Sequence, residues 1–152
     1  MIPSTVGRIT ENSPDFANRA IQQQTEARIR HFASAGPLAI DRRLRQLDQE
    51  WDIERVLEAN ASSLILAGMA LGSFVDRRYY LLPTVVAGFL LQHAIQGWCP
   101  PLPLFRRMGV RTAHEIEQER HALLLLRGDL QGMTGDTDYG RLEQALQAIR
   151  AE

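Results

Sequence analysis

The sequence predicts an all-α protein organised around a two-span transmembrane helical hairpin, with amphipathic helices flanking it on the N- and C-terminal sides. Three observations predict it. Two uncharged apolar runs, Ala59–Val75 and Tyr79–Cys99, are separated only by Asp76-Arg77-Arg78. Arginines gather outside the pair, at Arg42, Arg43, Arg45 and Arg55 before it and at Arg106, Arg107, Arg111 and Arg120 after it. The flanks carry apolar residues at helical spacing, bounded by caps and breakers.

Composition narrows the function classes. The 152 residues make one domain-sized object, long enough to bury a soluble core, so length alone does not force a membrane reading. A net charge of -1 gives no basis for a nucleic-acid partner. All basic residues are arginine, which reads as coding bias. Cys99 is the single cysteine, excluding an intrachain disulfide and any site built from several thiolates. No metal or cofactor is expected. Met1–Ile40 holds no apolar stretch of signal-peptide type. Hydrolase, phosphate-loop and HExxH signatures are absent.

Residues 1–36 read as an N-terminal arm followed by a helix. Met1–Asn12 has no periodicity and is expected to be extended. Ser13-Pro14-Asp15 is a helix start, with serine as cap and proline in the first turn. Phe16, Ala20, Ile21, Ala27, Ile29 and Phe32 give that helix a loose apolar face, and Gly36-Pro37 stops it. Residues 37–58 form an amphipathic helix leading toward the membrane. Ile40, Leu44, Leu47 and Trp51 recur at spacings of four, three and four. This stripe fits packing on the protein itself or a place in the membrane interface. No breaker separates it from the first apolar run, so a continuous helix is expected.

Residues 59–105 are the hairpin. Ala59–Val75 spans about 25 Å as a helix, short of a hydrocarbon core of about 30 Å, while Tyr79–Cys99 spans about 31 Å. The arginine distribution places both termini in the cytoplasm and the Arg77-Arg78 turn outside. Trp51, Tyr79, Tyr80 and Trp98 fit interface anchors. Gly68 and Gly72 form a GxxxG groove for close packing of the other arm or of a second subunit, with Ala87 and Gly88 on the second arm as candidates for the facing surface. Asn60, Ser62 and Ser63 on the first arm, and Gln92, His93 and Gln96 on the second, are expected to meet as a polar cluster near Cys99. Most economically they hydrogen-bond across the helices. The sharper reading has His93 activating Cys99, and these two are the weak catalytic candidates.

Residues 106–152 form the C-terminal helices, taken as cytoplasmic. The run CPPLP is expected to turn the chain rather than continue as regular helix. Thr112 and Glu115 match a capping box for a helix ending near Arg127, with Gly128 beyond it. His114 and His121, seven residues apart, are too distant for a common metal. A last helix is expected from Asp138, with Leu142, Ala145, Leu146 and Ile149 on one face.

Ile53-Glu54-Arg55, the small-residue-rich Leu64–Gly72, Pro83–Ala94, Gly97-Trp98-Cys99-Pro100 and Met108-Gly109-Val110 follow one another as in a known pattern. Over roughly residues 50–110 the chain resembles the YgaP-like transmembrane domain family, bacterial inner-membrane hairpins of unknown function. The resemblance implies an inner-membrane hairpin that can dimerise, and a link to sulfur chemistry where the family's hairpin follows a rhodanese domain. The N-terminal part here is too short and too helical for that domain and lacks its cysteine, so sulfurtransferase activity is not carried over. The expected role is a non-enzymatic inner-membrane protein in the lipid bilayer, a self-associating anchor or an accessory subunit of a larger membrane complex. The alternatives are an accessory sulfur-transfer or redox protein acting through Cys99, and a soluble helical bundle for protein interaction.

Overall fold

Apolar residues at helical spacing, with glycine, proline and capping side chains between the runs, produce only helices and turns among the described residues. The computed structural model describes residues 7–128 together with Gly140, Glu143, Leu146 and Gln147. The elements are α1 (Arg8–Glu11), α2 (Asp15–Ala33), α3 (Pro37–Gln49), α4 (Ile53–Phe74), a 3₁₀ turn (Arg77–Tyr80), α5 (Leu81–Gln96), α6 (Leu102–Arg107) and α7 (Ala113–Arg127). They divide into two compact units that interleave along the chain. One comprises Met1–Asn18 and Trp51–Val110, the other Arg19–Glu50 and Arg111–Glu152.

In the first unit α4 and α5 run antiparallel, joined through the 3₁₀ turn. The expected continuous helix from Pro37 is interrupted. Glu50 and Asp52 are extended, and the Asp52 carboxylate accepts from the Arg55 N–H at 2.8 Å to start α4 afresh. A further correction concerns the two arms. α4 has 22 residues and α5 only 16, because Gly97 adopts φ 75° and ends the helix before Cys99. The second arm, expected to be the longer, spans about 24 Å as regular helix. One helical stretch of the described residues, ending at Phe74, is long and apolar enough to cross a membrane, and 17% of its most apolar window is buried.

Gly68 and Gly72 make the close approach to the other arm of the pair, but not at Ala87 and Gly88. A Cβ on Gly68 would lie 2.5 Å from Pro83 Cδ, and one on Gly72 would lie 2.7 Å from the Tyr80 ring. Ala87 and Gly88 are exposed instead, with open space where a Gly88 Cβ would go. The antiparallel register explains this: position 68 falls opposite the first turn of α5, not its middle.

The core of this unit lies at the opposite end of the pair. Ile9, Ile53, Leu57, Cys99 and Leu102 are buried together, with Phe105 and Val110 packed against them. Part of the supposed arm, Arg8–Glu11, is therefore a short helix that delivers Ile9 to this core. The Ser13 hydroxyl donates to the Ile9 carbonyl at 2.5 Å, closing off α1. Pro100 and Pro101 turn the chain as expected, but α6 resumes helix at Leu102 with Pro103 tolerated in its first turn.

In the second unit α3 lays Ile40, Leu44 and Leu47 against Ile116 and Leu123 of α7. The amphipathic stripe of α3 thus packs on protein. The buried face of α2 includes Ile21, Thr25 and Ile29, whereas Ala20 and Ala27 are exposed. In the first unit Phe16 is also exposed, under the guanidinium of Arg107 at 5.3 Å. The Thr112–Glu115 capping box forms, and Gly128 ends α7 at φ 91°. Glu119 is fully buried and is met by Arg28, Arg43 and Arg111, with Arg111 also held by Glu50 at 2.7 Å. Burial pushes the Glu119 carboxyl up. The hydrogen bonds from Arg43 and the charges of Arg111 and Arg28 outweigh this and hold it below its ordinary value. Leu146 is buried with Ile29 and Ala122. The remainder of the expected last helix, including Asp138, Leu142, Ala145 and Ile149, lies outside the described residues.

Candidate functional site

The Asp52 cap sets the phase of α4 and puts Glu54 in its first turn. The glycine at the end of α5 puts His93 in its last. Because the helices are antiparallel, these two turns are neighbours. His93 Nε2 lies 2.8 Å from Glu54 Oε2. The other carboxylate oxygen accepts from Arg8 Nη2 at 2.9 Å, and Arg8 Nη1 donates to the Ala94 carbonyl at 2.8 Å. Asn12 donates to the Gln96 carbonyl at 3.1 Å. Arg8 and Asn12 thereby satisfy carbonyls at the C-terminus of α5, where a cation is favoured.

Gly97 makes this approach possible. A Cβ there would lie 2.8 Å from the Arg8 side chain and 2.9 Å from its carbonyl oxygen, and the left-handed backbone also favours glycine. The hydrogen bond from His93 pulls the Glu54 carboxyl down, burial pushes it back, and Arg8 adds to the lowering. The balance lies below the ordinary value of 4.5.

Beside this triad is a cavity of about 510 Å³ between α4, α5 and the start of α6. Leu57, Leu64, Val86, Phe89 and Phe105 make most of its wall, and Asn60, His93 and Cys99 contribute polar atoms. Cys99 is 5% exposed and belongs to the apolar core. His93 is 3% exposed, and its ring is paired with the Cys99 thiol as well as with Glu54.

The expected polar cluster is only partly assembled. Asn60 donates to the Val56 carbonyl at 2.8 Å and Ser63 to the Ala59 carbonyl at 2.7 Å, so both turn back onto α4. Gln92 makes a long 3.5 Å contact with Gln96 along α5. Ser and Asn can satisfy themselves on their own helix, which removes their need for a partner across the pair. Among the described residues of that cluster, His93 is the one that bonds across to a side chain of α4, and that partner is Glu54. Trp51 is exposed under the Arg55 guanidinium at 4.2 Å, and Tyr79, Tyr80 and Trp98 are exposed.

Arg8 and Glu54 are the members that sequence reasoning missed. Glu54 falls within what the sequence reads as a continuous helix entering the first apolar run, and Arg8 lies in a segment with no periodicity. The available signal was a carboxylate and a histidine at the matching edges of two consecutive apolar runs. Among the described residues no group of three or more His, Cys, Asp or Glu could hold a metal. No family model, no curated protein and no solved structure matches this chain.

Proposed function

We propose that the chain is a non-enzymatic bacterial inner-membrane protein whose helix pair sits in the bilayer as two spans, with both termini in the cytoplasm. Its role is to anchor itself or to serve as an accessory subunit of a membrane complex. The observation that carries this reading is the outward apolar surface of α4 and α5. Leu66 is 70% exposed, Phe74 88%, Leu81 68% and Leu91 63%, with Leu64, Met69, Val85 and Ile95 also exposed. A water-soluble bundle would bury such residues, and a contiguous surface of this kind calls for lipid or protein. Tyr79 and Tyr80 at one end, with Trp51 and Trp98 at the other, suit the two interfaces.

The short second arm bears on partners. With α5 about 24 Å long against a core of about 30 Å, the 3₁₀ turn and a neighbouring protein would relieve the mismatch. Since Gly68 and Gly72 are used within the pair, self-association would proceed through other faces, including the one bearing Ala87 and Gly88. The resemblance to the YgaP-like transmembrane domain belongs to this proposal. It gains support from Gly97 and Cys99, which close the second arm and enter the core. Thiol chemistry at Cys99 is disfavoured by the burial of that residue among Ile9, Ile53, Leu57 and Leu102.

Alkaline extraction of membranes from cells expressing the full chain tests the reading. Retention in the pellet until detergent is added is expected. Release into buffer would overturn it.

A further inference from the structure

The first unit holds six arginines, and four of them are engaged within the chain. Arg8 meets Glu54, and the Arg55 and Arg107 guanidinium groups lie over the rings of Trp51 and Phe16. Arg106 donates to the Val110 carbonyl and to Asn18. Arg77 and Arg78 are the exception. They stand side by side, exposed, in the turn between α4 and α5, and among the described residues their guanidinium groups meet no partner. Asp76 is the one acidic residue between Ala59 and Phe105, and its carboxylate is taken up by the Arg78 backbone N–H at 2.8 Å, capping the turn. The tip therefore carries two positive charges against one negative. Exposed Phe74, Val75 and Leu81 flank it in the chain, so this charge is set directly on apolar surface.

We propose that the Arg77-Arg78 tip binds the phosphate of an anionic phospholipid, one whose headgroup carries no cation of its own. The proposal rests on the reading of the helix pair as two membrane spans. A guanidinium fork matches two phosphate oxygens, and its stem lies along apolar surface while the charge reaches the headgroups. In a zwitterionic lipid the headgroup's own cation opposes the arginines, so the net positive tip selects the anionic lipid. The turn is assigned to the side where arginine is ordinarily scarce, so its two charges call for a counter-charge from the lipid. The short second arm acts in the same direction. α5 spans about 24 Å against a hydrocarbon core of about 30 Å, which draws the headgroups toward the tip and into reach of the arginines.

The test uses the full chain carrying Tyr79→Trp with Trp51→Phe and Trp98→Phe, so that one tryptophan reports on the tip. The protein is reconstituted in phosphatidylcholine vesicles, and quenching by brominated phosphatidylglycerol is compared with quenching by brominated phosphatidylcholine. The expected result is a preference of about five-fold for phosphatidylglycerol, the scale of one arginine near an anionic surface, lost in Arg77→Gln/Arg78→Gln. A companion chain that keeps Trp98 as its one tryptophan reports on the other end of the pair, and its preference is expected not to respond to the double substitution. If the reporter substitutions unfold the chain, native mass spectrometry of the otherwise unsubstituted protein decides. Phosphatidylglycerol is then expected to stay bound to the parent and to be lost from the double variant, and equal retention would overturn the inference. Quenching by both lipids without preference, a preference that survives the double substitution, or a loss shared equally by the Trp98 reporter would overturn the inference and leave the membrane reading standing. Quenching by neither lipid would overturn both.

Discussion

Glu54 Oε2 and His93 Nε2 lie 2.8 Å apart, joining the first turn of α4 to the last turn of α5. The remaining carboxylate oxygen is occupied by Arg8. One interaction therefore fastens the base of the helix pair and brings the N-terminal segment to it, while the glycine contacts fasten the far end.

Replacing His93 by Ala removes a buried hydrogen-bond partner of Glu54 and opens space beside the cavity. The expected loss is about 1–3 kcal/mol of stability. It is read from denaturant titration of purified protein. An unchanged midpoint would mean that the contact does not hold the pair together.

The lowered Glu54 carboxyl makes stability depend on acid. Its ionised form is favoured in the folded state, so the contribution is complete above the ordinary value of 4.5 and is lost as pH falls through the lower folded-state value. Thermal unfolding followed from pH 7 downward should lose stability below about pH 4.5. Glu54→Gln should start lower at pH 7 and show a shallower acid decline than the parent. Parallel acid limbs would contradict the assignment.

Gly68→Val places side-chain atoms where Pro83 already sits, and the proline ring cannot swing away. The expected cost is about 1–3 kcal/mol. Gly88→Ala meets open space and should be neutral, or stabilising by up to about 1 kcal/mol through helix propensity. Equal sensitivity at the two positions would refute the observed packing and favour the facing surface expected from sequence.

In the second unit, Glu119→Ala removes the carboxylate that Arg28, Arg43 and Arg111 share. Three guanidinium groups then lose their common counter-charge, one of them on the buried Arg111. Loss of about 3–5 kcal/mol is expected in chemical denaturation, the range for breaking one side of a buried ion pair. A change under 1 kcal/mol, the scale of exposed pairs, would show that the cluster behaves as a surface one.

The all-helical class, the break at Gly36-Pro37 and the Thr112–Glu115 capping box were legible because each is dictated locally. Glycine, proline and a side chain three residues from a cap act on their own backbone. The α3 stripe was legible as amphipathic, but its burial against Ile116 and Leu123 depends on a segment some seventy residues later. The GxxxG signal located the close contact correctly and could not name its partner, because register decides whether position 68 meets Pro83 or Gly88. Arg8 was invisible for the same reason: its role rests on a glycine at position 97 that lets α1 approach. The polar cluster was over-read, since Asn60 and Ser63 satisfy themselves on α4.

Membrane insertion with an outward turn is the central claim, and cysteine labelling in intact cells tests it most directly. In a Cys99→Ser background, Arg78→Cys and Arg120→Cys are each treated with a membrane-impermeant maleimide, before and after lysis. The account predicts labelling of Arg78→Cys in intact cells and of Arg120→Cys only after lysis. Protection of both positions until lysis, with the chain in the soluble fraction, would contradict it.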